Sequence, residues 1–139
     1  MVSAKYEKCA FVVDKDLAAG LAMNTVAALS MSVGRFVDGI IGDSVKDADG
    51  HKHTGITAIP LPILKGEASD LRDIVVRAAG MPDVFVVDFT AVAQSSRSYG
   101  EYTSRTAEQG TAELPYIGVA VCGGKSAVNK LTGSLPLYR

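Results

Sequence analysis

The chain has 139 residues, of which 47% are apolar and 21% charged, with a formal net charge of −1. This suffices for one ordinary domain with its own core, and the lack of a basic excess argues against a general nucleic-acid binder, whose affinity rests on phosphate contacts. No apolar run approaches the roughly 18 residues of a membrane span, and the leading MVSAKYEK lacks the apolar core of an export signal, so the expectation is a single cytoplasmic domain over residues 1–139.

Ala10 to Val13 is a short apolar run rich in β-branched residues, the pattern of a strand covered on both faces as in a parallel sheet. Asp14, Lys15 and Asp16 end it, and Asp16 is a candidate N-cap for a helix to about Val33, with Gly34 as its C-cap. Arg35 to Gly42 reads as a linker or short strand. Asp47-Ala48-Asp49-Gly50 is a turn, and the loose alternation from His51 to Ile59 makes a hairpin. Pro60 and Pro62 lack amide donors and place Leu61 to Leu64 near a sheet edge or at a strand end.

Ser69 to Ala79 is the clearest helix, with Leu71, Ile74, Val75 and Ala78 at i, i+3, i+4, i+7 and Gly80 beyond it. Val84 to Val87 is a second buried strand. Phe89 to Gln109 divides into a short helix, a loop and a second helix from about Ser98. Tyr116 to Cys122 is another strand, Ser126 to Leu131 a helix closed by Gly133, and the apolar tail Leu135 to Tyr138 should pack. Cys9 and Cys122 have no CxxC spacing and read as two buried thiols of a reducing compartment.

Phe11-Val12-Val13-Asp14 recurs as Phe85-Val86-Val87-Asp88. The echo suggests two parallel neighbours whose carboxyl ends, Asp14 and Asp88, open on one crevice, the usual ligand edge of an open α/β sheet.

The tail Val128-Asn129-Lys130-Leu131-Thr132-Gly133-Ser134-Leu135-Pro136-Leu137-Tyr138 resembles the C-terminal signature of the type 2 peptidyl-tRNA hydrolases. Phe11-Val12-Val13, Asp16-Leu17, Gly20 and Val26-Ala27-Ala28 resemble that family's first strand, D-L-x-x-G turn and helix, and Asp88 falls at the Asp of its D-A-G-R-T segment. The middle of the chain, with Asp47-Ala48-Asp49-Gly50, His53, Gly55-Ile56 and the Gly20-Leu21-Ala22-Met23-Asn24 stretch, resembles the DUF2000 family over nearly the whole length. That resemblance implies the hydrolase fold: a three-layer α/β/α domain with a mixed, mostly parallel sheet of about four strands. The departures bear on activity. Where the hydrolases have lysines stand Leu21, Ala22, Met23 and Asn24, and the Arg and final Thr of D-A-G-R-T are replaced in Asp88-Phe89-Thr90-Ala91-Val92. A tRNA phosphate needs cationic partners, so efficient peptidyl-tRNA hydrolysis is not expected.

Asp88, at a strand end, could serve as general base or ligand contact, or equally as the cap of the next helix. His53 could be an acid–base group, or a surface histidine beside a turn. Asn24 suits a pocket wall or a structural hydrogen bond. Lys15, Thr90, Tyr99 and Tyr102 complete the candidate ligand set, with the tyrosines alternatively core and Lys15 alternatively part of a solvated turn. His51, His53, Asp47 and Asp49 have no metal-ligand spacing, and neither metal nor cofactor is implied. Gly123-Gly124-Lys125-Ser126 is not a phosphate loop, since the motif needs Gly at 119 and the residue is Val119. Its free amides could still hold an anion weakly. The expected function is binding or hydrolysis of a small polar ligand. The alternative is a non-catalytic, homo-oligomeric interaction domain, a dimer before other sizes, and residual peptidyl-tRNA hydrolysis comes last.

Overall fold

In the computed structural model, which describes residues 6–139, the chain begins with β1 (Lys8–Asp14), α1 (Ala19–Phe36) and a small hairpin of β2 (Val45–Lys46) and β3 (Lys52–His53). It continues through β4 (Ile63–Gly66), α2 (Ala68–Ala78), β5 (Phe85–Thr90), α3 (Ala91–Ser95), α4 (Tyr99–Thr106), β6 (Tyr116–Gly123) and α5 (Lys125–Thr132). Residues 1–5, part of the stretch read for an export signal, lie outside the described residues. Among the described residues no helix is long and apolar enough to cross a membrane.

α2 buries Leu71, Ile74, Val75 and Ala78, the stripe its periodicity predicts. Its first turn is closed by Asp70, whose carboxylate accepts the Glu67 N–H at 2.8 Å. Asp70→Ala should cost about 1 kcal/mol by freeing that amide. Urea denaturation reads this directly, and an unchanged midpoint would show the contact to be idle.

α1 departs from its expected bounds. Asp16 does not cap it: the N-cap position is Ala18, without a side-chain bond, and the Asp14 carboxylate instead accepts the Asp16 N–H at 2.9 Å. Nor does Gly34 end it. The helix continues to Phe36 and the Val37 N–H donates to Val33 O, because Val33, Val37 and Ile40 are all buried and hold the extra turn against the sheet. Tertiary burial outweighs the weak preference of one glycine.

The sheet order is β4-β1-β6-β5. β1 pairs with β4 in parallel, and β6 pairs with both β1 and β5 antiparallel. Two expectations are thereby corrected. The sheet is mixed but not mostly parallel, since one of its three pairings is parallel. The two FVVD strands run the same way but are not neighbours, because β6 lies between them. Burial on both faces requires only helices on both sides and does not report strand direction.

Alternate residues of the strands feed two apolar clusters. Ala10, Val12, Val119 and Val121 pack with Leu71 and Ile74 of α2 and with Val128 and Leu131 of α5. Phe11, Ala120, Cys9 and Cys122 pack with Leu29 and Val33 of α1. Each fully buried Val, Leu, Ile or Phe contributes on the order of 1.5–3 kcal/mol over its exposed state. The cysteines, expected as separate thiols, lie directly opposite in the β1–β6 register and are joined as a disulfide. A separation of 113 residues hides this pairing from any local reading.

The edges of the sheet differ. The prolines precede β4, an edge strand, and the tail packs along it: Lys65 N–H donates to Pro136 O at 3.0 Å and Tyr138 N–H to Ile63 O at 2.8 Å. The far edge, β5, is flanked by α3, against which α4 packs in turn.

Candidate functional site

β5 is the strand on which the site is built. Phe85, Val87 and Phe89 join the α1-side cluster and Val86 the other, so strand alternation puts Asp88 on the second face at the edge of the sheet. The strand runs two residues past Asp88 to Thr90, so Asp88 is inside β5 rather than at its end. Thr90, not Asp88, caps the following helix: its hydroxyl accepts the Ala93 N–H at 3.1 Å and it is 2% exposed. The cap alternative for Asp88 is thus taken by its neighbour, and the Thr90 hydroxyl is committed to α3.

The segment after α3 folds back through side-chain bonds to its own backbone. The Ser95 hydroxyl donates to Ala91 O and the Ser96 hydroxyl to Val92 O, each at 2.7 Å. Ser98 caps α4 by accepting the Glu101 N–H at 3.1 Å. Arg105 then donates to the Ser95 and Ser96 hydroxyls at 3.2 and 3.0 Å, fixing α4 against the end of α3. Together α1, β5, α3 and α4 enclose an open cavity of about 510 Å³, a typical volume for a small-molecule site. Leu29, Val87, Phe89, Ala28 and Ala93 form its apolar part, and Asp88, Ser32, Ser96, Arg97, Ser98, Tyr99 and Tyr102 its polar part.

Asp88 is half-buried, and burial pushes its carboxyl above the ordinary value of 3.8. Among the described residues it has no hydrogen-bond or ion-pair partner to offset that cost. Its charge reaches both nearby phenols. Tyr102 is raised first by burial, then by Asp88 and Tyr99. Tyr116 is raised first by burial and then by Asp88, with Arg72 opposing, and its hydroxyl donates to Thr111 O. Tyr99 and Tyr102 meet edge to face, with centroids 5.3 Å apart and planes at 79°.

Of the seven residues proposed from sequence, Asp88, Tyr99 and Tyr102 line this cavity and the other four do not. His53 is exposed on the hairpin, its Nε2 2.9 Å from Asp47 Oδ2. Asp47 also accepts the Asp49 and His51 N–H groups, and Gly50 takes φ of 80° to close the turn. The His53 bond is the largest of the causes holding the Asp47 carboxyl below its ordinary value. Lys15 is exposed and paired with Asp16 at 3.1 Å and Glu67 at 3.7 Å; the Asp16 hydrogen bond leads the causes that raise it. Asn24 is exposed on α1. The shared hollow expected between Asp14 and Asp88 is absent, because the amino-terminal end of β6 occupies the space between their strands. At the start of α5 the Glu7 carboxylate accepts the Lys125 N–H at 2.9 Å, so that amide is already taken. Sequence reasoning missed Ser32, Ser96, Arg97 and Ser98. The run Ser95-Ser96-Arg97-Ser98, polar throughout between two short helices, was the available signal for three of them.

The fold and this cavity define a mixed α/β domain with a small concave site over an edge strand. The chain belongs to the DUF2000 family: the family's model, described as a protein of unknown function, matches residues 7–139. Its fold is similar to that of a solved structure of a protein of unknown function, Atu0240 from Agrobacterium tumefaciens strain C58. The two share 19% identity with a TM-score of 0.86, over 95% of this chain and 97% of that one. Among curated proteins there is no match to this chain.

Proposed function

We propose that this domain binds a small amphipathic molecule in the cavity over β5, and that binding rather than hydrolysis is its task. The observation that carries the reading is the Asp88 carboxylate, half-buried at the cavity and without a partner among the described residues. A desolvated, unpaired carboxylate costs stability, and the fold has no structural use for this one. The cavity's lining holds no histidine, cysteine or lysine among the described residues. The Ser96 and Ser98 hydroxyls are engaged by helix ends. With no histidine or lysine in that lining, Ser32, Ser96 and Ser98 lack the usual base that activates a serine nucleophile. We also read the architecture as the three-layer type 2 peptidyl-tRNA hydrolase kind, a kinship supported by the Leu135-Pro136-Leu137-Tyr138 tail docked on β4.

Asp88→Asn tests the site. At pH 7 the variant should be as stable as the parent or more so, because the amide avoids desolvating a charge. The sign follows from the raised carboxyl. The folded state holds its proton more tightly than the unfolded one, so the parent loses stability as pH rises from 3.8 through the folded value. Below 3.8 both forms are neutral and the difference should vanish. A thermal-shift screen of metabolites should then give compounds that stabilise the parent and not the variant. A large loss of stability in Asp88→Asn would instead make Asp88 structural and sink the reading.

A second reading, self-association, is favoured by the outer face of α1 and the residue that ends it, where Met23, Met31 and Phe36 are 68%, 79% and 64% exposed. Light scattering on a size-exclusion column decides it, with a monomer at high concentration as the contrary result.

A further inference from the structure

The charges in and next to the cavity are unevenly committed. Arg105 is held by Ser95, Ser96 and, at 3.8 Å, Glu101. Arg97 has a side chain 92% exposed and lies 3.7 Å from the same glutamate. Asp88 alone among the charged groups of the described lining has neither a partner nor full hydration. Beside it the perpendicular rings of Tyr99 and Tyr102 form a corner that offers a ring face as well as an edge. A ring face attracts cations through its quadrupole and repels anions. Leu29, Val87 and Phe89 line the cavity on the α1 side of β5, the face opposite the one to which strand alternation assigns Asp88.

We propose that the ligand is an organic ammonium ion, with Asp88 as its counter-ion and the Tyr99–Tyr102 corner as its aromatic wall at the edge of the sheet. The proposal rests on the ligand-site reading above and gives that site its charge preference. An anion would meet Asp88 and the ring faces unfavourably. A neutral hydroxyl can hydrogen-bond the carboxylate but leaves its charge uncompensated. An ammonium ion supplies the charge-assisted hydrogen bond that the fold withholds. The groups facing Asp88 are the Tyr102 phenol from α4 and the Tyr116 phenol from β6, with Arg72 beyond Tyr116. Neither phenol competes as a counter-ion, and acidification that protonates Asp88 should weaken binding.

Three probes of nearly one shape separate the terms: 2-phenylethylammonium, 2-phenylethanol and phenylacetate. Each is titrated at low salt into the full chain while amide shifts are followed by NMR. The expected result is saturable shifts at Val87 to Phe89 and Tyr99 to Tyr102, with the ammonium ion bound about tenfold tighter than the alcohol and phenylacetate weakest. Asp88→Asn, checked by its melting temperature, should abolish the preference for the ammonium ion, bringing its affinity down to about that of the alcohol. If the alcohol or phenylacetate binds the same residues as tightly as the ammonium ion, the charge preference is overturned and the ligand site stands. If none of the three shifts these residues, both are overturned.

Discussion

Reduction of the Cys9–Cys122 bond is expected to lower the stability of the domain by about 4–5 kcal/mol. The two residues are 113 apart, and a cross-link closing a loop of roughly 100 residues removes about that much chain entropy from the unfolded state in the loop-closure account. The folded state changes little, because the strands carrying the sulfurs are already paired through several residues on the amino-terminal side of β6 and beyond. The loss should therefore come through the unfolded chain and appear as a lower urea midpoint in reductant. A double Cys9→Ala, Cys122→Ala variant should reproduce it, with a smaller added cost for the two lost sulfurs in a site 1% exposed. Thiol titration in denaturant should find no free thiol without reductant and two with it. Two free thiols in the untreated protein, or equal midpoints with and without reductant, would refute the expectation.

The second large effect is expected at Gly118. A Cβ there would lie 2.3 Å from Thr25 Cγ2 and 3.2 Å from Leu29 Cδ1. Thr25 cannot move aside: it is fully buried and its hydroxyl donates to Leu21 O at 2.7 Å. The glycine is what lets α1 approach the central strand. Gly118→Ala must push the helix outward, which should cost about 1–3 kcal/mol and lower the melting temperature by roughly 5–10 °C. Because Ala28, Leu29 and Ser32 on the same helix line the cavity, ligand affinity should fall with stability. Thr25→Ala removes the obstructing methyl, so the double variant should be more stable than the sum of the two single losses predicts. A Gly118→Ala protein melting with the parent, or strict additivity in the cycle, would rule out this packing account.

Some of the candidate site was legible in the chain and some was not. Asp88, Tyr99 and Tyr102 could be picked out because a carboxylate in an apolar run and aromatics at helical spacing are local signals. His53 and Asn24 could not be discounted locally. Asp47, which holds His53, is six residues away across a turn, and the outward direction of Asn24 depends on which face of α1 meets the sheet. Thr90 lies two residues beyond Asp88 on β5 and outside the cavity lining, and its hydroxyl belongs to α3. Only the bend at Ser95 to Ser98 brings the wall opposite Asp88 into being.

By itself the amino-acid order determined the mixture of helices and strands, the stripe of α2, the turn at Asp47 to Gly50 and the buried character of β1 and β6, whereas β5, read as equally buried, is a partly exposed edge strand. Each of these depends on neighbours within a few positions. The tertiary structure alone decided that β6 separates the two FVVD strands, that it runs against them, that Cys9 meets Cys122, and that α1 outlasts Gly34. Those outcomes depend on contacts between segments remote in the chain, where burying apolar faces together selects among arrangements that local preferences leave equal.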